Sequence, residues 1–336
     1  MSQTARWALI ALAVLLLAVA AWGVTVVRWS LAPIVAAGPV SLFRVEQGAS
    51  LGEIARSLEA RGLVRNALSF SLLARYRKLA GELQAGEYRL SAAFSAEQTL
   101  DRIVSGRVAT YDVSVPEGLT AVQVGERLAA AGLADAAEFH TFVTAPGTAA
   151  ALGVEGETIE GYLFPETYQL RHGLTADEVA KVLVDQFLIV WREIEPQARA
   201  QKLSMREVVT LASIVEKETA APEERPLIAS VFRNRLRRGM RLETDPAVIY
   251  GIADFDGNLR RRDLEDTSNP YNTYLIEGLP PGPIANPGAD ALRAVVNPAD
   301  TDYLFFVSKN NGMHAFSKTY NEHVLAVDEY QRRRKR

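Results

Sequence analysis

The 336-residue sequence predicts an α+β protein in three parts. These are a single N-terminal transmembrane helix over residues 7–27, a small strand-and-helix region over 41–150, and a larger mixed α+β domain over 158–331. Three observations carry the prediction. Residues 7–27 form an uncharged run between Arg6 and Arg28, the length of a bilayer-spanning helix. Two later stretches repeat one strand–turn–helix pattern. The second half of the chain alternates helical apolar stripes with a proline-rich loop and an Asn-Gly hairpin signal.

The composition is that of a globular protein: 48% hydrophobic, 23% charged and a net charge of −3. That leaves room for about two domains beyond a membrane segment. The mild negative charge argues against nucleic acid as a partner. Arg332, Arg333, Arg334, Lys335 and Arg336 form the only basic cluster and read as a solvated end. There is no cysteine, which excludes disulfides, thiol catalysis and cysteine-ligated metal.

Trp7, Trp22 and Trp29 stand near the ends of the apolar run, as interfacial aromatics do. Ala18-Val19-Ala20 resembles a signal-peptide cleavage site, but the apolar run continues past it. A retained single-pass anchor is therefore expected, with its short leader in the cytoplasm. The bulk of the chain then lies on the periplasmic, extracytoplasmic side of a bacterial inner (plasma) membrane. Residues 32–39 read as a linker.

Residues 45–64 and 115–134 share a pattern: Val45/Val115, Gly48/Gly118, Ser50/Thr120, Ile54/Val124, Leu58/Leu128, Gly62/Gly132 and Leu63/Leu133. Each copy reads as a strand, a turn glycine, a capped amphipathic helix and a glycine stop. The first copy resembles the LysM-like modules that bind cell-wall glycans, and a plain packing or spacer role fits the same pattern. Residues 86–90 and 110–115 look like further strands.

Residues 160–168 concentrate Tyr162, Phe164 and Tyr168 beside Glu160 and Glu166. Such a stretch could offer aromatic faces and carboxylates to sugars, or it could be ordinary core. Helical spacing then marks 176–194, 204–219, 226–238 and 289–296. Thr244-Asp245-Pro246 reads as the cap of a short helix. Five prolines stiffen residues 269–288, and the rigid loop carries Tyr271, Asn272 and Tyr274. Residues 303–307 and 313–316 predict strands joined across Asn310-Asn311-Gly312, and 320–331 a final helix.

The helix over 204–219 organises the domain. Ser204 and Glu207 form a capping box, and Val208, Leu211, Ala212 and Val215 make one buried stripe. Glu216 and Glu218 end the helix on opposite flanks of that stripe, so they cannot share a proton, and at most one lines a given cleft. Periodicity does not choose between them, and composition alone favours two solvated glutamates. No His-Glu-x-x-His, Gly-x-Ser-x-Gly or Walker loop is present. His140, His172, His314 and His323 are scattered and read as solvated or core side chains. Carboxylate acid–base chemistry is the remaining common option for an enzyme.

In order along the chain, 160–168, 211–219, 230–236, 239–246, 271–274 and 278–282 resemble blocks of the endolytic murein transglycosylase (YceG-like) family. The resemblance covers essentially the whole chain. It implies a peptidoglycan lytic transglycosylase, a lyase without metal or cofactor, that cuts the β-1,4 bond between N-acetylmuramic acid and N-acetylglucosamine. The products are 1,6-anhydro ends, and the cut terminates nascent glycan strands. Lytic transglycosylases carry a catalytic Glu before Ser near a helix end, and Lys217-Glu218-Thr219 takes that place here. The resemblance therefore selects Glu218. Tyr271, Asn272, Tyr274 and Thr244, in matched rigid segments, are expected as substrate contacts, with a structural role equally open, and Tyr168 and Glu166 join them from the aromatic stretch. The resemblance implies glycan strands and cell-wall synthases as partners. A hydrolytic muramidase and a non-catalytic wall-binding scaffold remain the alternatives.

Overall fold

The computed structural model describes residues 3–332. All of the expected basic end except Arg332 lies outside the described residues. Contacts divide the chain into two units: Met1–Tyr111 with Arg171–Gly173, and Asp112–Leu170 with Leu174–Arg336. The division falls between the two repeat copies. The second copy thus belongs to the larger unit, whereas the sequence placed both copies together up to residue 150.

The first unit begins with α1 (Gln3–Leu31), of which Ile10–Leu31 is long and apolar enough to cross a membrane. No residue of its most apolar 18-residue window is buried, whereas Ser30 at its end is. The helix outruns the expected 7–27 because a single Arg28 near its end does not interrupt backbone hydrogen bonding. Then follow β1 (Val40–Val45), α2 (Leu51–Ala60), α3 (Ala67–Tyr76), β2 (Gly86–Ser91) and α4 (Ala96–Val104). β1 and β2 pair antiparallel, with Val40 opposite Ser91 and Val45 opposite Gly86. Phe43 and Val45 of β1 and Tyr88 and Leu90 of β2 point inward, as the period of two requires. They meet Ile54, Leu58, Phe70, Leu100 and Ile103 from the three short helices. Ser50 with Glu53 and Ser95 with Gln98 close capping boxes that fix the starts of α2 and α4.

The second unit opens with the same order: β3 (Tyr111–Ser114), α5 (Ala121–Ala130), α6 (Ala136–Thr144), the short α7 (Thr148–Ala151) and β4 (Thr167–Leu170), with β3 paired to β4. Thr120 and Gln123 repeat the capping box of Ser50 and Glu53. Gly48 and Gly118 sit at φ 79° and 76°, and Gly62 and Gly132 at 65° and 72°. The repeat read from the sequence is therefore a repeated backbone path as well.

The larger α part comprises α8 (Ala176–Ala200), α9 (Met205–Glu218), α10 (Arg225–Arg237), α11 (Asp245–Tyr250), α12 (Arg261–Leu264), α13 (Ala289–Val296) and α14 (Tyr320–Val327). The strands β5 (Phe305–Ser308) and β6 (His314–Ser317) form the expected hairpin, with Phe305 opposite Ser317. α8 runs six residues beyond the predicted end and carries Pro196 inside it. Proline forfeits one N–H donor but not the rest of the turn. α9 packs against α8, α10, α11 and α13. Every residue from Val208 to Val215 is buried, so it is a central helix rather than one with a single apolar stripe. Buried Ser213 on α9 donates to Thr210 O and accepts the Ile284 N–H at 3.0 Å, which ties the proline-rich loop to the helix. Gly161, at φ 91°, lies where a Cβ would meet Pro283 at 2.5 Å; only glycine fits there.

Candidate active site

α9 sends its two terminal acids to different places. The Glu216 side chain is 7% exposed, and its Oε1 accepts from Arg225 at 2.9 Å. Its Oε2 accepts the Gly288 N–H at 3.1 Å, at the start of α13. Arg225 also reaches Glu117 at 3.0 Å. Glu216 is thus half of a buried ion pair with its lone pairs in use, the condition under which such a pair is tolerated. Lys217 is exposed, and its Nζ donates to Gly118 O.

Glu218, two residues on, faces the other way. It lines a cleft of about 370 Å³ with Arg235, Leu242, Glu243, Asp245, Tyr274, Phe306 and His323. Thr244 Oγ1 donates to Glu218 Oε1 at 2.5 Å. This is why Thr244, although the residue before α11, makes no side-chain cap there. Asp245 Oδ1 accepts from the Tyr274 hydroxyl at 2.8 Å. Thr273 Oγ1 accepts from Thr244 N and donates to Thr244 O, so the two segments are clamped at the point where Thr244 meets Glu218. Arg235 is fixed by Leu304 O at 2.7 Å, Leu242 O at 2.9 Å and Glu243 at 3.0 Å, with its guanidinium 5.1 Å over the Phe305 ring.

The electrostatics follow from these contacts. Burial pushes the Glu218 carboxyl up; the Thr244 hydrogen bond opposes this, Asp245 adds to it and His314 opposes it, and the net direction is upward. The residue keeps partial exposure while its carboxyl is largely desolvated. Desolvation favours the protonated form of such an acid, and its remaining exposure lets it present that proton to a ligand. Burial and the Asp245 carboxylate raise the Tyr274 hydroxyl, so it stays a donor. Burial and Arg235 pull His323 down, against Glu243, which favours the neutral imidazole, and its Nδ1 is buried without a hydrogen-bond partner among the described residues. Behind Phe306, whose ring lies 5.3 Å from that of His314, His314 Nδ1 is 2.7 Å from Glu224 Oε2, and the His314 N–H donates to the same carboxylate.

Of the residues singled out in the sequence, the structure brings Glu218, Thr244 and Tyr274 together. Asn272 is fully buried and donates to the carbonyls of Asp263, Leu264 and Asp266, while its Oδ1 accepts the Tyr274 N–H. It holds the loop that carries Tyr274 instead of facing the cleft. Tyr271 packs edge-on against Tyr250, with centroids 4.9 Å apart, and is not among the lining residues. Tyr168 is buried, with its hydroxyl on Phe164 O, and Glu166 is exposed, with its carboxylate on the Thr167 N–H. The aromatic stretch 160–168 is therefore core, because Tyr162, Leu163 and Phe164 are all buried. Asp245, read as a helix-start residue only, also lines the cleft. His314 and His323 are neither solvated nor plain core side chains, since each is committed at or behind the cleft. Arg235 and Glu243 lie in the blocks 230–236 and 239–246 and Phe306 in a predicted strand, but nothing in the sequence singles them out; they arrive from separate elements.

The YceG-like family matches residues 43–329. An endolytic murein transglycosylase of Bacillus subtilis is 31% identical over 307 residues, covering 85% of this chain and 83% of that protein. One from Streptococcus pneumoniae is 30% identical over 321 residues, again covering 85% of this chain, which spans 57% of that longer relative. The crystal structure of a YceG-like protein from Listeria monocytogenes superposes with a TM-score of 0.59 at 31% identity, covering 85% of this chain and 98% of that one. With a family match over most of its length and relatives at this identity, the chain belongs to the YceG-like family.

Proposed function

We propose that the protein is an endolytic murein transglycosylase in which Glu218 is the only proton carrier. The observation that carries this is the Glu218 carboxyl, raised by burial and lining the cleft beside Glu243 and Asp245, while its neighbour Glu216 is consumed by Arg225. Support comes from relatives at about 30% identity that bear the same activity in their names.

In this reading protonated Glu218 gives its proton to the glycosidic oxygen of the leaving N-acetylglucosamine. The 2-acetamido group of N-acetylmuramic acid stabilises the cation-like C1, so no second carboxylate is needed. Glu218, now ionised and held by the Thr244 hydroxyl, takes the proton of the C6 hydroxyl. O6 then bonds to C1 and closes the 1,6-anhydro ring. One proton leaves Glu218 and one returns, and no water is consumed. Thr244 favours the ionised half of the cycle and Asp245 the protonated half, which suits an acid that must do both. Tyr274 and His323 supply hydroxyl and imidazole contacts to the sugars.

α1 serves as a single-pass anchor in the inner membrane, which keeps the cleft near nascent strands and makes the cut a termination event. The strand–helix–helix–strand path of β1, α2, α3 and β2 fits a LysM-like, glycan-contacting module. Mass spectrometry of products from purified glycan strands tests the reaction. Fragments whose masses sum to that of the substrate support ring closure, and a gain of one water per cut means a hydrolytic muramidase instead.

A further inference from the structure

α3 carries an apolar face that nothing among the described residues covers. Leu68, Leu72 and Tyr76 are 66%, 53% and 87% exposed. They recur at i, i+4 and i+8, one side of a helix, while Phe70, Leu73 and Ala74 fill the core on the other. Three exposed large apolar side chains in line on a ten-residue helix are not scattered surface residues, and such a stripe marks a contact.

Two further observations say what covers it. The first is continuity with α1. The apolar stretch of α1 ends at Leu31, yet Ser30 is already buried and Leu31 packs on the core of the first unit. Arg65, just before α3, lies 4.9 Å over the Trp29 ring and donates to Pro33 O and Ile34 O, and α1 touches α3 directly. No spacer separates the end of the apolar helix from this unit, so a bilayer holding α1 has its surface at α3. The second is charge. Residues 60–81 hold Arg61, Arg65, Arg75, Arg77 and Lys78 and not one acid, in a chain of net charge −3. The sequence reading, which saw a basic cluster only at the C-terminus, passed this one over. Arg77 is partly offset by Asp101 of α4 at 2.7 Å; Arg75 and Lys78 are exposed beside the stripe.

We infer that α3 is an interfacial helix: its Leu68–Leu72–Tyr76 face rests in the headgroup boundary of the anionic phospholipid bilayer that α1 spans, with Arg75 and Lys78 on lipid phosphates. An amphipathic helix with apolar side chains on one face and cations at its edge binds anionic bilayers in this way, and tyrosine favours that depth. The first unit then sits against the membrane at a fixed orientation instead of swinging on its anchor. This rests on the reading of α1 as a membrane anchor, and the test separates the two.

The chain has no cysteine, so single cysteines report unambiguously. Leu72→Cys on α3, Leu15→Cys in α1 and Glu97→Cys on α4 are each labelled with an environment-sensitive dye. Each full chain is reconstituted in phosphatidylglycerol-containing or all-phosphatidylcholine vesicles with lipid-borne quenchers at shallow or deep positions. The Leu15 probe is expected to be quenched by the deep label. The Leu72 probe should lose about half its emission to the shallow label at headgroup depth, more in anionic than in neutral vesicles, and the Glu97 probe should lose none. Arg75→Glu with Lys78→Glu should remove the anionic excess at Leu72. A quenched Leu15 probe with an unquenched Leu72 probe overturns the interfacial helix and spares the anchor. An unquenched Leu15 probe overturns both. Shielding of Leu72 only on adding glycan strands, or only at high protein density, makes the face a wall-binding or self-association surface and also overturns the inference.

Discussion

Glu160 gives the sharpest stability prediction. Its carboxylate is fully enclosed in the larger unit, with the Ala121 N–H at 3.0 and 3.1 Å, the Tyr250 hydroxyl at 3.2 Å and the Asn286 amide at 3.4 Å. Desolvation outweighs these donors and pushes the carboxyl from 4.5 up to about 7. The folded state therefore holds this proton more tightly than the unfolded state. Its contribution is complete below pH 4.5 and is lost as pH rises through about 7, opposite to an ordinary paired carboxylate. At about 1.36 kcal/mol per pKa unit, the loss is about 3 kcal/mol. Glu160→Gln keeps an acceptor for Ala121 and cannot ionise. Trp191 is the one tryptophan outside α1 and is buried, so replacing Trp7, Trp22 and Trp29 by Phe leaves it as the reporter of this unit. Urea unfolding at a series of pH values should show wild type losing about 3 kcal/mol relative to Glu160→Gln between pH 4.5 and 8. A difference between the two proteins that stays flat with pH refutes the reasoning, as does one that grows in favour of wild type.

The other predictions concern the cleft. Thr244→Val removes a hydrogen bond to a charged group worth about 1.5–3 kcal/mol, so the alkaline limb of the pH–rate profile should move up by about 1–2 pH units. Asp245→Asn removes a neighbouring negative charge and should move the same limb down, and equal movement in both variants would contradict the assignment. Glu216→Gln leaves Arg225 with only the half-exposed Glu117 and should destabilise the protein by about 3 kcal/mol. Glycan cutting per folded molecule should stay near wild type, which activity assays well below the melting temperature will check.

Local chemistry was legible in the sequence. The helix caps at Ser50 and Thr120, the capping box at Ser204, the turn glycines of the repeat and the Asn-Gly hairpin all form where short-range patterns placed them. What the sequence could not give was the fate of each acid on α9. Glu216 is claimed by Arg225, nine residues on, and by a backbone N–H 72 residues on. Periodicity is blind to partners at such separations. The cleft is likewise assembled from α9, α10, residues 242–245, the proline-rich loop, β5 and α14, so no single motif announces it. The aromatic stretch 160–168 stayed ambiguous for the converse reason: aromatics next to carboxylates look the same in a sugar site and in a core, and only burial separates them. Asn272, expected as a substrate contact, is fully buried, and its four hydrogen bonds to backbone give it a scaffolding task.

The central claim is that one carboxyl, and no other, moves the proton. Glu218→Gln is close to isosteric and keeps an oxygen for the Thr244 hydroxyl, so folding should survive, as Trp191 emission and unfolding midpoint can verify. The decisive measurement is the rate of glycan-strand cleavage by that folded variant against wild type. The account predicts a fall of about a hundredfold or more, the scale of losing a general acid, with glycan binding intact. Cleavage at the wild-type rate by a folded Glu218→Gln protein would contradict it.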